Sequence, residues 1–140
     1  MRITLKGRYA LRAVLALAEM GKSGEMVSIN SLSEAEDISS IFLEQIFFKL
    51  KKAQIVKSVR GPGGGFALDR PLDSISVQEI LDAAGEELSM KFCEKNAGDC
   101  DRMSECVSHK VFASVSDKID EYLRSITLKK ILESKEFKPD

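Results

Sequence analysis

Apolar positions follow helical spacing through most of the first fifty residues. From Gly7 to Met20, strong helix formers carry Tyr9, Leu11, Val14, Leu15, Leu17 and Met20 almost all the way round. That pattern predicts a helix buried on most faces, ended by Gly21 and the Lys22-Ser23-Gly24 stretch. Ser28 is placed to cap a short helix carrying Ile29, Leu32 and Ala35. After a break at Asp37-Ile38, Ser39 or Ser40 caps another helix, with Leu43, Ile46, Phe47 and Leu50 as an i, i+3, i+4, i+7 core stripe. Its opposite face carries Ile41, Glu44, Gln45, Phe48 and Lys52. Two short helices across a tight turn form a helix-turn-helix, spanning about residues 28–52.

The period then changes. Ile55 to Arg60 and Phe66 to Leu68 are short, β-branched or aromatic runs around Gly61-Pro62-Gly63-Gly64-Gly65. This predicts a β-hairpin with a glycine-rich tip, a wing over about residues 55–69. Ser76 caps a further helix with Val77, Ile80, Leu81 and Ala84. Residues Met90 to Cys106 read as a loop, followed by a long helix reaching about Ile126. There Phe112, Val115, Ile119, Tyr122 and Ile126 repeat at alternating spacings of three and four, with Val111 and Leu123 beside them. Such spacing marks the seam of a helix–helix contact between two chains. The expected fold is mostly α with a small β-hairpin wing (α+β). A winged helix-turn-helix domain over residues 1–75 would be followed by a loop and dimerisation helices over 76–136 and a frayed tail over 137–140.

Composition narrows the class. The 140 residues are 44% hydrophobic and 31% charged, which fits a soluble globular chain and excludes a disordered one. The apolar run Ala13 to Ala18 is too short for a signal-peptide core or a bilayer span, so the expected location is the cytoplasm. The net charge of −1 conceals an asymmetry: residues 1–70 hold 11 basic against 7 acidic side chains, and residues 71–140 hold 10 against 15. A basic front half suits a nucleic-acid-reading module.

On the second helix of the helix-turn-helix, Gln45 has the donors and acceptors to pair with adenine, and Glu44 can accept from the cytosine amino group. Ser39 and Ser40 can hold a phosphate at the helix start, with Ile41 beside them. Lys49, Lys51, Lys52 and Lys57 supply backbone neutralisation. Arg60, with Gly61 and Pro62 at the wing tip, can enter a narrowed minor groove. Phe48 is expected to pack under the wing or against the first helix. The glycine run is not a phosphate-binding loop, because no Gly-Lys-Ser/Thr follows it and the next residues form a strand. With one His and scattered carboxylates, no catalytic set is visible and an enzyme is not expected.

All three cysteines fall between Cys93 and Cys106, an odd number that does not suit a secreted disulfide framework. The spacing is Cys93-x6-Cys100-x5-Cys106-x2-His109. Three thiolates and an imidazole within seventeen residues can supply the four ligands of a [2Fe–2S] core. Cys106 and His109 are three apart at a helix start, so both can face one site. The same donors satisfy tetrahedral zinc, although zinc knuckles favour closer cysteines. Unliganded or redox-active thiols are a third reading.

Taken together, Met1 to Ala10, the Phe42-Leu43-Glu44-Gln45-Ile46-Phe47 helix and Ser58-Val59-Arg60-Gly61-Pro62-Gly63-Gly64-Gly65 resemble the IscR-like family of iron–sulfur cluster-binding winged-helix transcription regulators. The cysteines with a trailing His, and Ile126-Thr127-Leu128, extend the resemblance over almost the whole chain. It implies a homodimer that binds one [2Fe–2S] cluster per subunit through Cys93, Cys100, Cys106 and His109. It also implies recognition of a pseudo-palindromic duplex operator through the helix from Ser39, and repression or activation of iron–sulfur assembly genes. In that picture cluster binding orders the loop and biases the two recognition helices. Two departures stand out. The Cys93–Cys100 gap is one residue longer than in close members, which leaves [4Fe–4S] open, and Ile41 and Phe48 occupy positions where polar residues are expected. The rival readings are a nitric-oxide or redox sensor on the same scaffold, and a zinc-stabilised interaction module that ignores DNA.

Overall fold

The computed structural model describes residues 2–90 and 100–139. Helix α1 (Leu5–Met20) runs through the centre of the core, burying Ala10, Ala13, Val14 and Leu17. The small residues on this stripe let neighbouring elements approach closely. Helix α2 (Ile29–Glu36) starts where Ser28 accepts a hydrogen bond from the Ser31 N–H and ends at Asp37, which adopts the left-handed conformation (φ 52°). Helix α3 (Ser40–Lys52) presents Leu43, Ile46, Phe47 and Leu50 to the same core, all of them buried. Ser39 is its N-cap, although its side chain makes no capping bond.

The wing consists of β1 (Val56–Val59) paired antiparallel with β2 (Gly65–Leu68), Val56 opposite Leu68 and Val59 opposite Gly65. The tip needs glycine for steric reasons. A Cβ on Gly64 would lie 2.2 Å from the Val59 carbonyl oxygen, and one on Gly65 (φ +147°) would lie 2.5 Å from that of Val27. The second approach exists because Phe66 and Val27 exchange backbone hydrogen bonds of 2.7 and 2.8 Å. The segment before α2 thus adds a third, single-bridge rung to the wing, which hydrophobic patterning does not reveal. Phe66 in turn packs edge-on against Phe47, with centroids 4.8 Å apart, so the wing is seated on α3.

A 3-10 turn at Leu72–Ser74 leads to α4 (Val77–Ala83). Ser76 and Glu79 form a reciprocal capping box at its start. Arg70 donates two 3.1 Å hydrogen bonds to the two carboxylate oxygens of Glu79, tying the end of the wing to this helix. Burial alone would raise the Glu79 carboxyl, but the Arg70 and Ser76 donors outweigh it and hold the group below its ordinary range. Helix α5 (Val107–Ser125) packs on α4, and α6 (Leu128–Glu133) follows, ahead of a 3-10 turn at Lys135–Phe137.

Residues 75–77 and 126–128 run antiparallel across an isolated bridge, with Val77 N–H donating to Ile126 O at 2.9 Å and Leu128 N–H to Ile75 O at 3.0 Å. Ile80, Ala84 and Leu128 belong to the same buried cluster as α1 and α3. The packing therefore crosses residue 75, because α4 and the start of α6 complete the core of the winged helix. Phe137 ends the 3-10 turn and is 38% exposed.

Candidate nucleic-acid interface and thiolate site

Polar contacts tie α2 to α1 and to the turn that precedes α3. The Arg12 guanidinium donates to the Glu36 carboxylate at 3.3 Å and also to the Glu36 backbone carbonyl, while Ser33 Oγ donates to Ile38 O at 2.6 Å. With its core stripe turned inward, α3 exposes Ile41, Glu44, Gln45, Phe48, Lys49 and Lys52. Ser39 is exposed with its hydroxyl unspent on capping, and Ser40 is half-buried. Lys51 Nζ donates to Ser58 Oγ at 2.7 Å, linking α3 to β1. Lys57, Arg60, Gly61 and Pro62 are all exposed on the wing. The exposed faces of α3 and the wing together carry Lys49, Lys51, Lys52, Lys57 and Arg60 against Glu44, with the apolar Ile41 and Phe48 among them.

Phe48 departs from its expectation: it packs neither under the wing nor on α1. It stands 66% exposed, with Lys52 Nζ 5.8 Å from its ring centroid. Phe47 already fills the space between α3 and the wing, so its neighbour must point outward.

Around the cysteines, Cys106 is the N-cap of α5, and its Sγ accepts from the His109 N–H at 3.5 Å. Cys106, His109 and Cys100 are each half-buried, and neither Cys100 nor Cys106 is in a disulfide. Cys93 lies outside the described residues. Among the described residues, no three His, Cys, Asp or Glu side chains come close enough to hold a metal ion. The donor set nonetheless fits a soft metal centre. The Cys106 sulfur sits at the start of α5 against the His109 N–H, and the imidazole one turn on shares its side of the helix.

The first residues of α1 meet a side chain that sequence reasoning missed. Glu86 is buried, and its Oε1 accepts from Thr4 N–H at 3.1 Å, from Gly7 N–H at 3.0 Å and from the Thr4 hydroxyl. Burial pushes this carboxyl up, but the Thr4 and Gly7 donors and the nearby Lys6 outweigh that and hold it below its ordinary range. A Cβ on Gly7 would sit 2.7 Å from Glu86 Cγ, so glycine is what lets the carboxylate reach the helix end. Four residues further, Met90 N–H donates to the buried Ser116 Oγ of α5. The chain leaving α4 is thus fastened first to α1 and then to α5. No local pattern marks Glu86, because its partners are about eighty positions away.

The outer face of α5 carries Val111, Phe112, Val115 and Tyr122 exposed, with Ile119 half-buried. Ile126 differs from its expected place on that seam. It is the C-cap of the helix and is buried in this chain's own cluster with Val77, Leu81 and Leu88.

A family model described as "Rrf2: Iron-dependent Transcriptional regulator" matches residues 3–134. The chain belongs to the Rrf2 family. Among its Rrf2 relatives, the HTH-type transcriptional regulator IscR of Escherichia coli is 38% identical over 136 residues, spanning 97% of this chain and 83% of that protein. The solved structure of T. potens IscR has a TM-score of 0.76 at 33% identity and covers 100% of this chain and 93% of its own. CymR, the global cysteine regulator of B. subtilis, has a TM-score of 0.77 at 27% identity, covering 94% and 95%. The protein is therefore a winged-helix transcription regulator with IscR-like relatives, and the surface of α3 and the wing belongs to a DNA-binding fold. These relatives are transcription regulators rather than enzymes. Among the described residues, no helix is long and apolar enough to cross a membrane.

Proposed function

We propose that this Rrf2 protein is a cytoplasmic, homodimeric regulator that binds a pseudo-palindromic operator and responds to iron–sulfur cluster status, controlling iron–sulfur assembly genes. The observation that carries this reading is Cys106 at the start of α5 with the His109 N–H on its sulfur, in a chain similar to IscR along nearly its full length. Cys93, Cys100, Cys106 and His109 would hold one [2Fe–2S] cluster per subunit. When bound, such a cluster supplies a one-electron couple whose potential a histidine ligand raises relative to thiolate alone.

The chain's own residues supply the route to DNA. Cys93, Cys100 and Cys106 follow Glu86, which holds the start of α1, and Cys106 and His109 begin α5. A rearrangement there bears directly on α1, the helix against which α3 packs, and on α5. The exposed Phe112, Val115 and Tyr122, with Ile119 beside them, would pair with a second copy and set the spacing of the two α3 helices. In the operator complex, Gln45 and Glu44 would address base edges, Ser39 and Ser40 a phosphate at the helix start, and Lys49, Lys52 and Lys57 the backbone. Arg60, with Gly61 and Pro62 around it, would enter the minor groove.

The test is duplex binding by cluster-loaded protein and by a variant with all three cysteines changed to Ala, across the upstream regions of iron–sulfur assembly genes. A folded dimeric variant with changed promoter preference is expected. Identical binding by both proteins at every promoter would overturn the sensing role.

A further inference from the structure

Two side chains on the outer face of α3 are unaccounted for by the core. The inward stripe is complete with Leu43, Ile46, Phe47 and Leu50, yet Ile41 is 68% exposed and Phe48 66%. They bracket Glu44 and Gln45 at i, i+3, i+4, i+7 spacing, and together with Lys49 these residues line one shallow depression. Large apolar groups in that position gain free energy only by meeting apolar surface.

The surroundings point to the occupant. Lys49, Lys51 and Lys52 crowd the last turn of α3, and Lys57 and Arg60 follow on the wing. A frame of cations suits a polyanion, and the face is continuous with the DNA-binding surface described above. The apolar feature of a duplex major groove is the thymine C5-methyl group. Ile41 lies in the first turn of α3, the end of a recognition helix that meets base edges. Phe48 lies seven residues on, roughly 10 Å along the axis, or about three base-pair steps.

We propose that Ile41 and Phe48 each read a thymine methyl in a half-site, at positions about three base pairs apart that flank the edges addressed by Glu44 and Gln45. This inference rests on the reading of α3 as the DNA-recognition helix. It gives these two residues a role in operator choice: the half-site carries thymine where a polar residue at the same position would favour a hydrogen-bonding edge. Lys52, beside the Phe48 ring, adds a charge for the neighbouring phosphate.

The full chain is used to select a binding site from a random duplex library. Each thymine of the selected duplex is then replaced by deoxyuridine, which removes only the methyl group. Affinities are measured for the parent protein, Ile41→Ser and Phe48→Ser, after urea unfolding has confirmed that both exposed-site variants remain folded. The expected result is two thymines per half-site whose methyl loss weakens parent binding roughly fourfold each, the transfer value of one methyl. Each serine variant loses one of those two sensitivities. Tight parent binding with no deoxyuridine effect above about twofold would overturn the inference and leave the DNA-binding role standing. So would methyl sensitivities that persist in both variants. Assembly of DNA-free protein through this face, abolished by Phe48→Ser and without methyl dependence, would assign the surface to a second copy and also overturn it. Failure to select any duplex would instead contradict the DNA-binding reading itself.

Discussion

Replacing Glu86 by Gln tests whether the contact between the end of α4 and the start of α1 is an electrostatic cap. One carboxylate oxygen accepts from two backbone N–H groups and a hydroxyl at the first turn of α1, where Thr4 makes no side-chain cap of its own. Hydrogen bonds to a charged acceptor contribute about 1.5–3 kcal/mol each against roughly 1 for neutral ones, and bonds sharing one atom do not add. The amide keeps an acceptor but loses the charge, so Glu86→Gln should cost about 1–2 kcal/mol. Glu86→Ala leaves two first-turn donors unpaired and should cost about 2–4 kcal/mol. The assay is urea unfolding at fixed protein concentration, since the stability of the proposed dimer would depend on it, read as a midpoint shift at constant slope.

The pH dependence supplies the sharper check. The carboxyl is held below its ordinary value of 4.5 in the folded chain. Its stabilisation is therefore fully present above about pH 4.5 and is lost as pH falls through the lower folded value. The gap between parent and Glu86→Gln should be constant from pH 5 to 7 on that argument and close progressively below about 4.5. A gap that stays constant down to the acid-unfolding limit, or one below about 0.5 kcal/mol at neutral pH, would refute the cap.

Gly7→Ala should destabilise the parent by about 1–3 kcal/mol, because the new methyl displaces Glu86. In the Glu86→Ala background the same change should stabilise by up to about 1 kcal/mol from helix propensity, and additive effects in this double-mutant cycle would contradict the contact. Gly64→Ala puts a Cβ against the Val59 carbonyl; it should cost about 1–3 kcal/mol and weaken duplex binding, as seen by urea unfolding and fluorescence anisotropy. Phe112→Glu with Tyr122→Glu should yield a folded monomer in sedimentation velocity, since both side chains are exposed within one chain; an unchanged dimer would place the interface elsewhere.

Much of this architecture was legible in the sequence because local signals agree with tertiary packing. Leu43, Ile46, Phe47 and Leu50 show helical spacing and are buried together, and Ser28 and Ser76 cap where expected. The hairpin formed where a glycine-rich tip separates two β-prone runs. What escaped the sequence depends on contacts between distant residues. The Val27–Phe66 and Ser76–Thr127 pairings are single bridges with no periodic signature. Glu86 looks like one more solvated carboxylate until the fold brings the N-terminus of α1 to it. Ile126 continues the apolar repeat of α5, but the helix ends one residue earlier and the side chain turns inward. At the thiolate site, the nearness of Cys106 to His109 follows from helix geometry; Cys93, separated by a long stretch with no apolar period, lies outside the described residues.

The central claim is that Cys93, Cys100, Cys106 and His109 hold an iron–sulfur cluster. Its most direct test is to purify the protein without oxygen and record its visible absorption together with its iron, sulfide and zinc content. The account predicts thiolate-to-iron absorption with two irons and two sulfides per chain. One zinc per chain, with no colour even after anaerobic reconstitution with iron and sulfide, would contradict it and leave a winged-helix regulator without the proposed sensor.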